Sequence, residues 1–287
     1  MARTNECLAS RIQGNTESTM TVGALIFAFS GCDNNLDYIS LAKKSAESIK
    51  QYLNIPVCLV TDSLSVSDNV FDRIIHKQAI EGGKRYWKML DKKTSWYNIG
   101  RSDSFELSPW DTTLVVDADY LIFGDSLRSV LESPNPFMCF KEQLDLPHMS
   151  DTGPIVLGKA KLPLWWATVI KFDKSNRSQL IFGIWKMIEN NYSYYADFFG
   201  LKRTPYRNDY ALSIALLIAS GNQQPNDVAI PWKLFNVSVT NSIQLANNAV
   251  RVEYLDSRNS RRLSYLTITG HDIHVMDKHV IGRILED

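Results

Sequence analysis

Residues Thr112–Phe123 read TTLVVDADYLIF, an apolar run of strand character interrupted by two carboxylates, Asp117 and Asp119. The flanking LVV and YLIF are apolar enough to be buried, and two like charges in a buried setting are expensive unless a cation accompanies them. If the chain turns near Asp117, both carboxylates sit at the carboxyl edge of a sheet, where ligands bind in open α/β folds. Oxygen ligands of this kind suit Mg²⁺ or Mn²⁺ bridging to a substrate diphosphate. The residues alone leave a second reading open, in which the strand simply ends in two surface aspartates.

Working outward, Val22–Ser30 (VGALIFAFS) is a continuous apolar run followed by the turn-like GCDNN, which reads as a buried strand ending in a loop. Leu36–Leu53 places apolar residues at helical spacing, with Pro56 shortly after, and PVCLVTD is a second strand closing on Asp62. Strand, helix, strand in so short a span is a βαβ unit, so the sheet is at least partly parallel. Asn69–His76 reads as a short strand and Lys84–Ser95 as an amphipathic helix carrying Trp87 and Leu90, with Trp96 just beyond. Further strands are expected at Pro134–Phe140, Pro154–Gly158, Leu164–Phe172, Arg251–Tyr254 and Leu263–Thr267, and helices at Ser178–Asn190 and Arg207–Ala219.

The 287 residues are 45% hydrophobic, with 31 Lys+Arg balancing 31 Asp+Glu, which is a globular composition without the global basic field that non-specific nucleic-acid binding uses. Cys7, Cys32, Cys58 and Cys139 are single and unpaired by any Cys-X-X-Cys spacing, as free thiols of a reducing compartment would be. Neither a secretion signal nor an apolar run of about 18 residues is present, so a cytoplasmic location is expected, that of the host if the chain is viral. No internal repeat or low-complexity linker divides the chain. Residues 1–19 are expected to be a disordered leader and residues 20–287 one α/β domain with an elaborated second half.

The N-terminal βαβ unit, the strand LVVDADYLIF and the downstream helix headed by Arg207, Asn208 and Asp209 together resemble the GT-A nucleotide-sugar glycosyltransferases. Within that class the chain is similar to the glycogenin and lipopolysaccharide galactosyltransferase group and to tailed-phage glycosyltransferases. The resemblance covers about Val22–Val280 and is most specific at Thr112–Phe123 with Trp96–Arg101. It implies a Rossmann-like, mixed and mainly parallel sheet flanked by helices, with 20–125 as a nucleotide-binding half and 126–287 as an acceptor and catalytic half, a Mn²⁺ or Mg²⁺ ion, and a nucleotide-sugar donor, with a UDP-sugar the first choice.

It also implies roles for particular residues. Asp117 would contact the donor ribose and the metal, and Asp119 the metal. The backbone of Ala28, Phe29 and Ser30 would hold the nucleotide, with Asp62 facing the base, although Asp62 also reads as a cap or turn residue. Arg101 would reach towards the donor phosphates, as a guanidinium suits, and Lys84 with Arg85 is a second basic pair near them. The third metal ligand would be a C-terminal histidine: His271, His274 and His279 lie within nine residues. His274 is the choice, with Lys278 on the diphosphate, though the family's histidine-to-lysine spacing is longer and its intervening glycine is absent. Asn208 and Asp209 match the pair beside the reacting sugar carbon and equally suit a helix start. Trp165 and Trp166 stack on a sugar or pack in the core.

The function implied is a hexosyl- or pentosyltransferase acting on a hydroxyl of a glycan, a protein or a modified DNA base, retaining by kinship, or inverting with Asp209 as base. A DNA acceptor would need a basic patch, for which Arg258, Arg261 and Arg262 are the clustered candidates. The alternatives are a non-catalytic GT-A-like binding or virion-associated protein, and a sugar nucleotidyltransferase, which would normally carry a basic Gly-rich loop after the first strand. A dinucleotide-dependent dehydrogenase is disfavoured by the lack of Gly-X-Gly-X-X-Gly there.

Overall fold

A computed structural model describes residues 20–30, 36–67, 69–87, 92–97, 99–148, 153–201, 205–238, 240, 242–246, 249–255, 262–278 and 280–281. The leader, the turn-like stretch after the first strand, His279, Arg258 and Arg261 lie outside the described residues.

The first unit is the βαβ arrangement expected. Val22–Phe27 forms β1, Tyr38–Leu53 forms α1 and Val57–Thr61 forms β2, which lies parallel to β1. Asp37 caps α1 by accepting from the amides of Ile39 and Ser40, each at 3.0 Å, and Asn54 ends it in a left-handed conformation. Arg73–His76 (β3) adds in parallel to β2.

The helix expected over Lys84–Ser95 is instead an antiparallel hairpin of β4 (Lys84–Trp87) and β5 (Lys92–Ser95). Gly83, at φ +114°, bends the chain into it in a conformation that other residues rarely adopt. The hairpin is closed at its open end by Gly82 N to Trp96 O at 2.6 Å and Trp96 N to Gly83 O at 2.9 Å. Tyr86, Trp87 and Thr94 are residues of strand preference, and cross-strand pairing outweighed the helical spacing of the apolar ones.

Thr112–Val116 (β6) lies parallel to β1 on its other side, and the strand Trp166–Asp173 then continues the sheet antiparallel to β6. Tyr120–Leu121 (β7), Phe137–Phe140 (β8) and Gln143–Asp145 (β9) come after β6 in the chain. The main sheet runs β3, β2, β1, β6, Trp166–Asp173, β8, so strands from both halves of the chain share it. A second sheet runs β7, Ile273–Val275, Leu234–Val237, β9, and Ser242–Ala246, Ala249–Leu255 and Leu263–Thr269 form an antiparallel three-stranded sheet.

The continuous apolar character of β1 has a direct cause: both faces are covered. Ala24, Ile26 and Ala28 join the core that holds Leu41, Ala46 and Ile49 of α1. Leu25, Phe27 and Phe29 join the other core, with Phe182 and Trp185 of helix Asn176–Asn190 and Leu212 and Leu216 of helix Asn208–Ala219. At Gly23 any Cβ would lie 2.3 Å from the Trp110 ring, so the approach of that indole requires glycine. The second sheet is pinned by Asp272, which accepts from Phe123 N at 2.9 Å and Ser126 Oγ at 3.3 Å; burial pushes its carboxyl up to about 6 in spite of these bonds. Cys58 and Cys139 are buried free thiols. Among the described residues no helix is long and apolar enough to cross a membrane.

Candidate functional site

β6 stops at Val116, and the turn beyond it makes the site. Residues i and i+2 share a face of a continuous strand, so an unbroken strand would set both carboxylates against one buried layer. Instead the Asp117 amide donates to Thr168 O at 2.9 Å, and the Asp117 carbonyl accepts from Tyr120 N at 3.0 Å to close a turn. The chain then leaves the main sheet to pair with Ile273–Val275 in the second one. That switch puts Asp117 and Asp119 at the carboxyl ends of the parallel strands and brings the distant strand carrying His274 alongside them.

His274 Nε2 lies 3.4 Å from Asp119 Oδ2 and 4.0 Å from Asp117 Oδ2. One ligand atom from each of the three residues falls within 4.8 Å of the others. The imidazole is oriented from behind: its Nδ1 is 2.9 Å from Asn236 Oδ1, and Asn236 Nδ2 donates to Gln143 Oε1. With the amide of Asn236 committed to Gln143, its oxygen takes the Nδ1–H, so Nε2 is the nitrogen turned to the carboxylates. The register Asn236↔His274 between parallel strands holds the two side chains level. Two carboxylates and one imidazole are a donor set that fits Mn²⁺ or Mg²⁺.

The same carboxylates are held by basic residues. Lys278 Nζ donates to Asp119 Oδ2 at 2.5 Å, and Arg101 donates to Asp117 Oδ1 and, at 2.8 Å, to Ala167 O. Burial opposes charge on Asp119, but Lys278 and His274 outweigh it and hold the carboxyl well below the usual range. The reciprocal holds for Lys278, where burial lowers and Asp119 raises, the net shift being upward. The Lys278 ammonium also lies 5.4 Å from the Tyr38 ring and 5.5 Å from the Trp96 ring, both of which border the cleft.

These groups line one open cleft of about 210 Å³. Phe29, Arg101, Asp117, Asp119, Asn208, Asp209, His274 and Lys278, all singled out in the sequence, border it. Asp209 Oδ1 accepts from Ala167 N at 3.0 Å and Oδ2 faces Arg207 at 3.2 Å; Asn208 Oδ1 lies 3.1 Å from the Tyr206 hydroxyl. Both residues also begin helix Asn208–Ala219, whose N-cap is Arg207.

Ala28, Ser30 and Asp62 are not among the lining residues. Ala28 N is used by the sheet, donating to Val60 O at 3.0 Å. Asp62 Oδ1 accepts from Ser30 N at 2.6 Å and from Ser30 Oγ at 3.0 Å, so it ties the ends of β1 and β2 together. Lys84 is exposed and away from the lining, Arg262 is exposed, and His271 is an exposed ring set edge-on to Phe235 at 5.4 Å. Trp165 packs in the core while Trp166 borders the cleft. Sequence reasoning missed Arg207, Tyr38 and Asn236. Arg207 had its signal in the basic head of the Arg-Asn-Asp stretch; Asn236 had none, since only strand register brings it to His274.

No family model matches the sequence, and no curated protein matches it. Among solved structures the chain is similar to the glycosyltransferase GlyE of Streptococcus pneumoniae TIGR4, at 12% identity and a TM-score of 0.40 over 68% of this chain and 43% of that one. It is similar also to the galactosyltransferase LgtC in complex with donor and acceptor sugar analogues, at 12% identity and a TM-score of 0.38 over 68% of this chain and 70% of that one. An active-site mutant of LgtC gives 14% identity and a TM-score of 0.40 over 68% of this chain and 69% of that one. The chain thus spans 43% of the GlyE chain that it matches.

Proposed function

We propose that this chain is a metal-dependent glycosyltransferase that moves a sugar from a nucleoside-diphosphate donor, a UDP-sugar first among them, to an acceptor hydroxyl. The observation that carries the reading is the convergence of Asp117, Asp119 and His274 at the carboxyl edge of the parallel strands, within 4.8 Å and flanked by Lys278 and Arg101.

Charge balance supports it. In the cleft Arg101, Arg207 and Lys278 match Asp117, Asp119 and Asp209 one for one. A diphosphate alone would add about two negative charges beside three carboxylates, whereas a divalent cation and a diphosphate entering together leave the sum unchanged. Asp117, Asp119 and His274 would hold the cation, which when bound supplies neutralisation of the leaving diphosphate.

The chain's own residues do the rest. Lys278 and Arg101 bring fixed positive charge to the diphosphate side in a partly buried cleft, where it acts more strongly than in water. Phe29, bordering the cleft just beyond β1, would hold the nucleotide, and Asp62 ties that segment through Ser30. Asn208 and Asp209, which border the same cleft, would face the reacting carbon. Each oxygen of Asp209 already faces a donor, Ala167 N or Arg207, which suits fixed negative charge beside an oxocarbenium-like centre better than proton abstraction. That favours retention of configuration. The acceptor, whether glycan, protein or modified base, is not specified by these residues.

The test is nucleotide release from UDP-, GDP-, CMP- and TDP-sugars with Mn²⁺ and no added acceptor. Slow release from one donor, UDP-linked and abolished by EDTA, is the expected result. Release that is indifferent to EDTA, or silence across the panel together with no Mn²⁺-dependent nucleotide binding by calorimetry, would contradict it.

A further inference from the structure

Glu189 breaks two physical rules at once. Its side chain is 2% exposed, and it sits in the last turn of helix Asn176–Asn190, where the helix dipole disfavours negative charge. What offsets this is a set of four contacts from three separate parts of the chain. Oε1 accepts from Ser102 Oγ at 3.0 Å and Lys186 Nζ at 2.9 Å; Oε2 accepts from Gly100 N at 3.0 Å and faces the Tyr206 hydroxyl at 3.1 Å.

Two of those contacts fall on the residues either side of Arg101. That turn is held to the same helix a third time, by Lys186 on Asp103 at 2.8 Å. Burial opposes charge on Asp103, and its bonds from Lys186 and Lys77 outweigh it, keeping the carboxyl below its ordinary range. From the turn so fixed, Arg101 reaches Asp117 and Ala167 O. The fourth contact leads elsewhere in the cleft: the Tyr206 hydroxyl receives Trp185 Nε1–H at 3.1 Å and stands 3.1 Å from Asn208 Oδ1. Its one proton can serve Glu189 or Asn208, so the two acceptors are linked through a single hydroxyl.

We propose that Glu189 is a positioning residue that sets Arg101 on the diphosphate side of the cleft and Asn208 on the sugar side from one buried carboxylate. It touches no substrate atom; it fixes the groups that do. The proposal rests on the nucleotide-sugar reading of the cleft.

The experiment uses the full chain, with Mn²⁺ and UDP as the probe in calorimetry, and compares wild type, Glu189→Gln, Arg101→Ala and the double variant. Glu189→Gln keeps the shape but loses the charge and turns one acceptor oxygen into an NH₂ donor, so two of the four contacts lose their acceptor. Its expected result is a circular dichroism spectrum like that of wild type, a Mn²⁺-dependent UDP affinity lower by about 10-fold, and less than about twofold further loss when added to Arg101→Ala. Hydrogen exchange of the ligand-free protein should speed up at residues 99–104 and 206–208 together. Wild-type affinity in Glu189→Gln, or losses that multiply in the double variant, would overturn the proposal, because a role in stability alone does not depend on Arg101. Should Glu189→Gln not fold, Ser102→Ala removes one contact without burying an unpaired charge: an affinity about threefold lower supports the proposal, and an unchanged one overturns it. If wild type binds GDP or TDP with Mn²⁺ in place of UDP, that nucleotide is the probe; absence of Mn²⁺-dependent binding of all three overturns the nucleotide-sugar reading and the proposal with it, an outcome separate from a normal wild type beside an unaffected variant.

Discussion

Alanine in place of Asp119 is expected to lower Mn²⁺-dependent UDP affinity by at least about 100-fold, since loss of the residues that merely orient a metal ligand already costs about 10–100-fold. The variant carries a second expected effect. Asp119 is 2% exposed and bonded to Lys278, so its removal leaves a buried ammonium without its carboxylate and costs about 3–5 kcal/mol of stability. Asp119→Asn removes the charge but keeps the shape and an oxygen that can still accept from Lys278, so it should cost less stability and helps to separate the two effects. Calorimetry on the folded fraction of each variant is the measurement, and near wild-type affinity in both would remove Asp119 from the metal site.

Asparagine in place of Asp209 is expected to act on the other side of the reaction. The Asp209 carboxylate shares the cleft with the Asp117, Asp119 and His274 cluster but bonds Ala167 N and Arg207. Mn²⁺-dependent UDP affinity should therefore stay within about threefold of wild type while donor turnover falls by about 10²–10³-fold, the scale of losing one fixed electrostatic group at a developing charge. Steady-state release of UDP beside calorimetry reads both. Full turnover would leave Asp209 as a residue of the helix start, and equal losses in binding and turnover would place it with the donor instead.

The parts of this architecture that could be read from the chain are those written locally. The buried β1, the capped α1 and the broken β6 each carry their reason within a few residues, and Asp117-Ala118-Asp119 announced a strand end because apolar sequence resumes on both sides. His274 was legible in the clustering of C-terminal histidines. Its companion Lys278 was too, although the spacing departs from the family pattern; the strand Ile273–Val275 carries His274 to Asp119, and Lys278 reaches the same carboxylate from just beyond that strand.

What was not legible depends on pairing between distant segments. The hairpin at Lys84–Ser95 carries apolar residues at helical spacing, and nothing local in them reveals that Gly82 and Gly83 bond to Trp96. Asn236 lies 38 residues from His274, and Glu189 lies 89 from Gly100, so neither residue type nor periodicity marks them as parts of a site. Asp62 is a mixed case: an acid after the second strand was legible, but its bonds to Ser30, 32 residues away, were not.

The most direct measurement is diffraction at the manganese absorption edge from crystals of the wild-type protein soaked with MnCl₂ and UDP. The expected result is one strong anomalous peak about 2.2 Å from a carboxylate oxygen of Asp117, a carboxylate oxygen of Asp119 and Nε2 of His274, with the UDP diphosphate on the same ion. Bound UDP with no peak among these three residues, or a peak held by other side chains, would contradict it.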